Sequence, residues 1–216
     1  GKSYYYTENY IDAIKYLTQS LLLNPDDYEV YYYLGLAYNG IEAHKKALDA
    51  LKKSIIINSN FGFAHYELAK IYQIILNDEL AIKHFELAKK EFSNDDLNYQ
   101  LGLLYYNNEM YLKAMNPLKD YIVKNLDDVP TLEILASTFM NISRYPEAID
   151  IYLRLLEAIT FIESIPDNSD NMLADNYDES WIDLLSTNKG TYLKNIAEAY
   201  YKLDDFDKSI EYFIKL

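Results

Sequence analysis

One pattern recurs along this chain at a period of 34 residues. Tyr31-x-x-Leu34-Gly35-x-x-Tyr38 is followed by Ala47 and Leu51. Tyr66-x-Leu68-Ala69-x-x-Tyr72 repeats it 34 residues on, followed by Ala81, Phe85 and Ala88. Leu101-Gly102-x-x-Tyr105 comes 33 residues later with Ala114 and Leu118, and Leu135-Ala136-x-x-Phe139 comes 34 after that with Ala148 and Tyr152. Ile196-Ala197-x-x-Tyr200 leads to Ser209 and Phe213, and at the start Gly1-x-x-Tyr4 leads to Ala13, Leu17, Ser20 and Pro25. Self-similarity at such a period means that one supersecondary unit is copied, and that no copy can bury its apolar face without a neighbour.

Within each copy the apolar residues fall three and four apart, which predicts two helices with one buried stripe each. Asp, Asn and Ser gather at the junctions (Asn24-Pro25-Asp26-Asp27, Asn58-Ser59-Asn60, Ser93-Asn94-Asp95-Asp96, Asp127-Asp128), where their side chains are expected to cap helix starts. The Gly or Ala of the first helix and the Ala or Ser of the second predict the point of closest approach, with Leu, Tyr and Phe filling the space alongside. Only 6 Gly and 5 Pro occur in 216 residues, which suits a chain that is mostly helix.

The pattern Leu-Gly-x-x-Tyr, then Ala-x-x-x-Phe-x-x-Ala, then Pro resembles the tetratricopeptide repeat (TPR) family, over roughly 185 of the 216 positions. The resemblance implies an all-α fold, a right-handed superhelical solenoid of helix-turn-helix hairpins. Residues 1–158 hold five repeats, the first incomplete at its N-terminus, 159–189 are an acidic insert with a short helix, and 190–216 are a sixth repeat, incomplete or uncapped. Only the first copy ends in the family's proline, Pro25; Ser59 and Ser93 stand there later. Pro117 falls inside a second helix, where it removes a backbone donor and is expected to kink it. Gly1 falls in the middle of a first helix, and Ile210, Phe213 and Leu216 on the last helix call for cover. The expectation is therefore a piece of a longer protein, or an end covered by another chain.

The insert holds seven acids and one Lys, so it carries −6 of the net −14. Ile159 to Ile165 are expected to lengthen the preceding helix, residues 166–171 to form a loop, and 179–185 a short amphipathic helix. Two readings stay open: a solvated loop with a packing helix anchored by Trp181, or a segment that binds a partner or covers the chain itself. Asp167, Ser169, Asn171, Asp175 and Asp178 fall at calcium-loop spacing, but Met172 replaces the turn glycine and the closing residue is an Asp, so no metal is expected.

The absence of cysteine excludes disulfides, thiolate nucleophiles and Cys-ligated zinc. It is compatible with either redox environment; a cytoplasmic location is favoured, and periplasmic or secreted ones stay open because the chain starts inside a repeat. The acidic balance argues against nucleic acid, which needs a basic face, and no apolar run approaches the ~18–20 residues that insert into a bilayer. No phosphate-cradling loop, nucleophile elbow or kinase motif occurs. His65 and His84 lie on the two helices of one repeat, where satisfied, partly buried imidazoles are expected. Neither an enzyme nor a cofactor is expected within these residues.

In the TPR family the first helices line a concave groove that holds peptides or helices of other proteins. Carried onto this sequence, the resemblance places Tyr32, Tyr66 and Tyr99 at one groove slot of three consecutive repeats. Leu36, Lys70 and Leu103 occupy a second slot, and Tyr5, Tyr106, Asn107 and Asn141 the slots beyond it. Phenol rings give large contact area at little entropic cost, and amides bond an extended backbone. Glu67 and Asp96 stand among the slots where carboxylate-gripping relatives carry Lys, Asn and Arg, and two acids there repel a carboxylate, so a C-terminal carboxylate is not the expected ligand. The function implied is a scaffold that binds a peptide or helix of another protein through a Tyr/Asn-lined groove. The alternative is a regulatory or self-association arm of a larger enzyme or sensor, including a homodimer through the last helix or the Trp181 segment.

Overall fold

The computed structural model describes residues 1–164 and 179–216, with side chains for all of these except 179–183. Trp181 as a side chain and the calcium-like spacing at 167–178 thus lie outside the described residues. All regular structure among the described residues is α-helical: α1 (Lys2–Tyr6), α2 (Tyr10–Leu23), α3 (Tyr28–Gly40), α4 (His44–Ile57), α5 (Gly62–Ile74), α6 (Asp78–Glu91), α7 (Asp95–Asn107), α8 (Tyr111–Ile122), α9 (Val129–Asn141), α10 (Tyr145–Glu163), α11 (Glu179–Lys202) and α12 (Phe206–Lys215). Odd-numbered helices are the first, and even-numbered the second, of each hairpin. The chain forms two compact units, Gly1–Leu104 and Tyr105–Leu216, whose boundary falls within α7.

Each hairpin turns through one residue in the left-handed region. Glu8, Glu42, Leu76, Glu109, Ser143 and Asp204 have φ of 57–59°, and their spacing in sequence is 34, 34, 33, 34 and then 61. The turn therefore keeps the period of the sequence until the last interval, which contains the insert. None of the six is glycine, although only glycine adopts this conformation without steric cost.

Asp27, Asn77, Asn94, Asp128 and Asp205 cap the helices that follow them, their side-chain oxygens accepting from backbone N–H three residues on at 2.7–3.3 Å. For Asp27, Asn94 and Asp128 this is the role expected of the polar junctions; Asn77 and Asp205 play it within hairpins. The junction Asn58-Ser59-Asn60 differs. Phe61 is the N-cap of α5 and makes no side-chain cap bond, while Asn58 Oδ1 accepts from the Asn60 N–H at 3.3 Å. The Phe61 ring packs edge-on against Tyr28 and Tyr32 at 5.0 and 5.1 Å, so aromatic packing sets this helix start.

In the first unit the core runs through Ala13, Leu17, Val30, Leu34 and Ala37, then Leu51, Leu68, Ile71, Phe85, Leu97 and Leu101, all buried. Each buried Leu or Phe contributes roughly 1.5–3 kcal/mol. The small residues mark close approach as expected: a Cβ built on Gly35 would lie 2.5 Å from Leu51 Cγ. In the second unit Ala114, Leu118, Leu132, Leu135, Ala148, Leu155, Ile159, Tyr192, Ile196 and Ala197 are buried. α8 runs through Pro117, which is itself buried. The helix preceding the insert extends to Glu163, and the short helix expected at 179–185 is the start of the 24-residue α11.

His65 and His84 meet inside the first unit, Nδ1 to Nδ1 at 2.9 Å, and His65 Nε2 lies 3.0 Å from the Ser59 carbonyl oxygen. A neutral His65 donating from Nε2 to that carbonyl has a bare Nδ1, which accepts from His84 Nδ1–H. Burial, then the adjoining His65 imidazole and the charges of Lys83 and Lys52, push the His84 pKa down to about 4. No helix among the described residues is long and apolar enough to cross a membrane.

Candidate functional site

In the first unit the first helices of successive hairpins lie side by side. Tyr6 and Tyr33 join α1 to α3 through their hydroxyls at 2.8 Å, and Lys2 Nζ reaches Glu29 at 2.5 Å. The Tyr66 hydroxyl joins α5 to α7 by donating to Asp96, and Gln73 Nε2 donates to Gln100 Oε1 at 3.1 Å. These bonds join side chains 27 or 30 residues apart, on the first helices of neighbouring repeats, and so tie those helices together along one face.

The tyrosines of that face are half-buried. Tyr32 meets Tyr33 and Phe61 edge-on at 5.3 and 5.1 Å. Burial, and then the nearby Glu67 carboxylate, hold its phenol well above the ordinary range. Tyr66 meets Phe85 and Phe92 edge-on at 5.7 and 5.8 Å. Lys70 Nζ stands 5.3 Å over the Tyr66 ring and 3.5 Å from Glu67. Burial raises the Glu67 pKa and the Lys70 charge opposes that rise. Tyr99, Leu36 and Leu103 are half-buried on the same first helices. Tyr5 packs against Tyr6, Tyr10 and Tyr33 at 5.5–6.0 Å. Seven of the residues picked out by spacing, Tyr5, Tyr32, Leu36, Tyr66, Lys70, Tyr99 and Leu103, therefore belong to one unit. The rings of Tyr32 and Tyr66 contribute to packing between hairpins as well as to the surface.

Tyr106, Asn107 and Asn141 belong to the second unit. Tyr106 and Ser137 pair through their hydroxyls at 3.0 Å. Asn107 and Asn141 lie at helix ends, and the Asn141 amide donates to the Ser137 carbonyl of its own helix at 2.8 Å.

Spacing did not reveal Phe61, Phe63 and Phe92. Phe61 meets Phe63 at 5.9 Å, and Phe63, about half exposed, stacks on Phe92 at 4.8 Å. With the contacts above they complete an unbroken run of rings from Tyr10 through Tyr5, Tyr33, Tyr32, Phe61, Phe63 and Phe92 to Tyr66. Pairs of this kind are worth about 0.5–1.5 kcal/mol each beyond their area. Phe61 and Phe92 are 31 residues apart, out of the repeat register, so a periodic comparison passes over them.

The face offers aromatic edges, amides and mixed charge. No group of three His, Asp or Glu that could hold a metal occurs among the described residues.

Family profiles described as tetratricopeptide repeat match residues 1–60, 131–167 and 192–216. A comparison with curated proteins by sequence returns no match. Among solved structures the chain is similar to YrrB, described as a TPR protein with an unusual peptide-binding site, at TM-score 0.63 and 17% identity over 92% of this chain and 89% of that one. It is similar to MamA at TM-score 0.60 and 22% identity, covering 73% of this chain and 86% of that one. It is also similar to a chain in the Naa15/Naa10 complex bound to HypK-THB, at TM-score 0.60 and 16% identity, covering 99% of this chain and 35% of that one. At these identities the likeness is one of fold.

Proposed function

The chain belongs to the tetratricopeptide repeat family, and from that premise we propose that it is a protein-interaction scaffold whose first-helix face holds a peptide or helix of a partner protein. The observation that carries the proposal is the register of the first unit: Tyr32, Tyr66 and Tyr99 stand half-buried on adjacent first helices, beside the Gln73–Gln100 amide pair. Half-buried rings are already ordered, so a ligand gains aromatic contact at low entropic cost. Paired amides can open to accept and donate along a main chain. The peptide-binding site for which YrrB is described and the complex in which the Naa15/Naa10 chain occurs are consistent with this use of the fold.

Glu29, Glu67 and Asp96 on the same face, and the net charge of −14, favour a partner segment of basic or mixed charge. Selection of peptides from a random display library on the whole chain tests the proposal, with bound peptides mapped by amide hydrogen exchange. Protection is expected on α3, α5 and α7. Gln73→Ala together with Gln100→Ala is expected to weaken the selected peptides about tenfold at unchanged melting temperature, a loss of ~1.4 kcal/mol. Peptides that protect only the second helices, or that bind the double variant equally well, place the function elsewhere.

A further inference from the structure

Among α7, α9, α10 and α11 the second unit has an open cavity of about 280 Å³, and Glu133 is the one charged residue among the described residues that line it. Glu133 occupies the repeat slot that holds Tyr32, Tyr66 and Tyr99 in the first unit, so at this place the row changes from a phenol to a carboxylate. One of its oxygens, Oε1, accepts both from Asn188 Nδ2 at 2.7 Å and from the Tyr192 hydroxyl. The other oxygen has no bonding partner among the described residues, and no buried side-chain polar atom of the described chain lacks one. That second oxygen is therefore accessible, on a residue that lines the cavity.

The surrounding network leaves oxygen acceptors beside Glu133. Asn195 Nδ2 donates to the Tyr152 hydroxyl at 3.0 Å, and Asn188 Nδ2 is held by Glu133. The two amide oxygens remain as acceptors, beside the Tyr106–Ser137 hydroxyl pair. The buried rings of Tyr152 and Tyr192 stack on each other with centroids 5.9 Å apart, and no Lys or Arg among the described residues lines the space. A cavity with a carboxylate oxygen left open and amide and hydroxyl oxygens around it suits a cation with several donors. Its volume lies just below the ~300–1,000 Å³ of small-molecule sites, which suits a single side-chain head. A planar guanidinium fits better than an ammonium. It sheds water more readily and presents several N–H groups at once.

We propose that this cavity receives the guanidinium of an arginine on the partner's bound segment. The proposal rests on the protein-binding function above and narrows the chemistry of the ligand. It is tested on the whole chain by NMR titration with N-acetyl-arginine-N-methylamide, following the side-chain amides of Asn188 and Asn195. The neutral citrulline analogue, the lysine analogue and free L-arginine serve as comparisons. Saturable shifts confined to these amides and their neighbours are expected with the arginine probe. Affinity at least about fivefold weaker is expected for citrulline and lysine, and no gain for free arginine. Glu133→Gln keeps an oxygen for Asn188 and Tyr192 but removes the charge, and it is expected to weaken the arginine probe about tenfold or more.

Equal binding of citrulline or lysine, equal binding by Glu133→Gln, or no saturable shift would overturn the proposal. Tighter binding of free L-arginine would identify an amino-acid site and overturn it as well. The two proposals fail separately. Display-selected peptides that dock on the first helices but keep their affinity when each arginine is replaced by citrulline leave the scaffold function standing and remove this one.

Discussion

Two imidazole nitrogens 2.9 Å apart share a single proton, and this contact gives His84 a direct influence on stability. Its folded pKa of about 4 lies below the ordinary value of 6.5. Between these values the unfolded chain binds the proton that the folded chain refuses. The stability contribution is therefore complete above pH 6.5 and is lost as pH falls towards 4. The full shift corresponds to at most ~3 kcal/mol, reduced to about 2 kcal/mol by the ring's remaining contact with solvent. Urea unfolding at pH 7, 5.5 and 4 measures it. His84→Gln is expected to remove about that much of the decline, and a decline of the same size in the variant would assign it to carboxylates instead. The sequence put both histidines on one repeat and predicted satisfied imidazoles. That they satisfy each other depends on side-chain directions that spacing does not encode. Glu133 was hidden for a related reason, since its partners Asn188 and Tyr192 lie at and beyond the end of the insert, where the period is broken.

At the scale of the helix and its turn, most of the fold was legible. Periodicity of three and four is imposed by helix geometry itself, so each hairpin is written in its own residues. The turns were not legible, because the left-handed position carries Glu, Leu, Ser or Asp in place of glycine. Leu76 illustrates the cost. It is 88% exposed at φ 57°, so its side chain buries little while the backbone is held where a Cβ is disfavoured. Leu76→Gly is expected to raise stability by about 0.5–1 kcal/mol in chemical denaturation, net of the glycine's greater freedom when unfolded. A loss of stability would mean that the Leu76 side chain has a packing role. The start of α5 escapes the capping rule because Asn58, Ser59 and Asn60 are good capping residues by chemistry, whereas Phe61 wins by packing. The long α11 exceeds the short helix expected from sequence, running on through Ser186-Thr187-Asn188-Lys189 and Gly190. Within a packed hairpin a single glycine costs only about 1 kcal/mol and is tolerated.

For the molecule as a whole, charge is the dominant global property. With 34 acidic against 20 basic residues, the folded chain holds its excess negative charge at closer quarters than the unfolded chain does. Raising NaCl from about 0.05 to about 0.5 M shortens the screening length from about 14 Å to about 4 Å and is expected to raise the melting temperature by a few degrees. The ion pairs Lys2–Glu29 and Lys189–Glu163 oppose this weakly because their side chains are largely exposed. A melting temperature that falls with salt would show that local pairs outweigh the net charge. The same screening slows association with a basic segment, so affinity and stability are expected to respond to salt in opposite directions.

The tyrosine end of the aromatic run also has an optical consequence. Tyr10, Tyr5, Tyr6, Tyr33 and Tyr32 are linked by centroid distances of 5.3–6.0 Å. Identical chromophores at such separations exchange excitation many times before one of them emits. Light absorbed by Tyr10 is therefore emitted from a ring elsewhere in the row, and the polarisation of the exciting beam is lost although the rings themselves are fixed. The emission of these five tyrosines is that of a collective antenna, and its depolarisation reports whether the first two hairpins stay packed together.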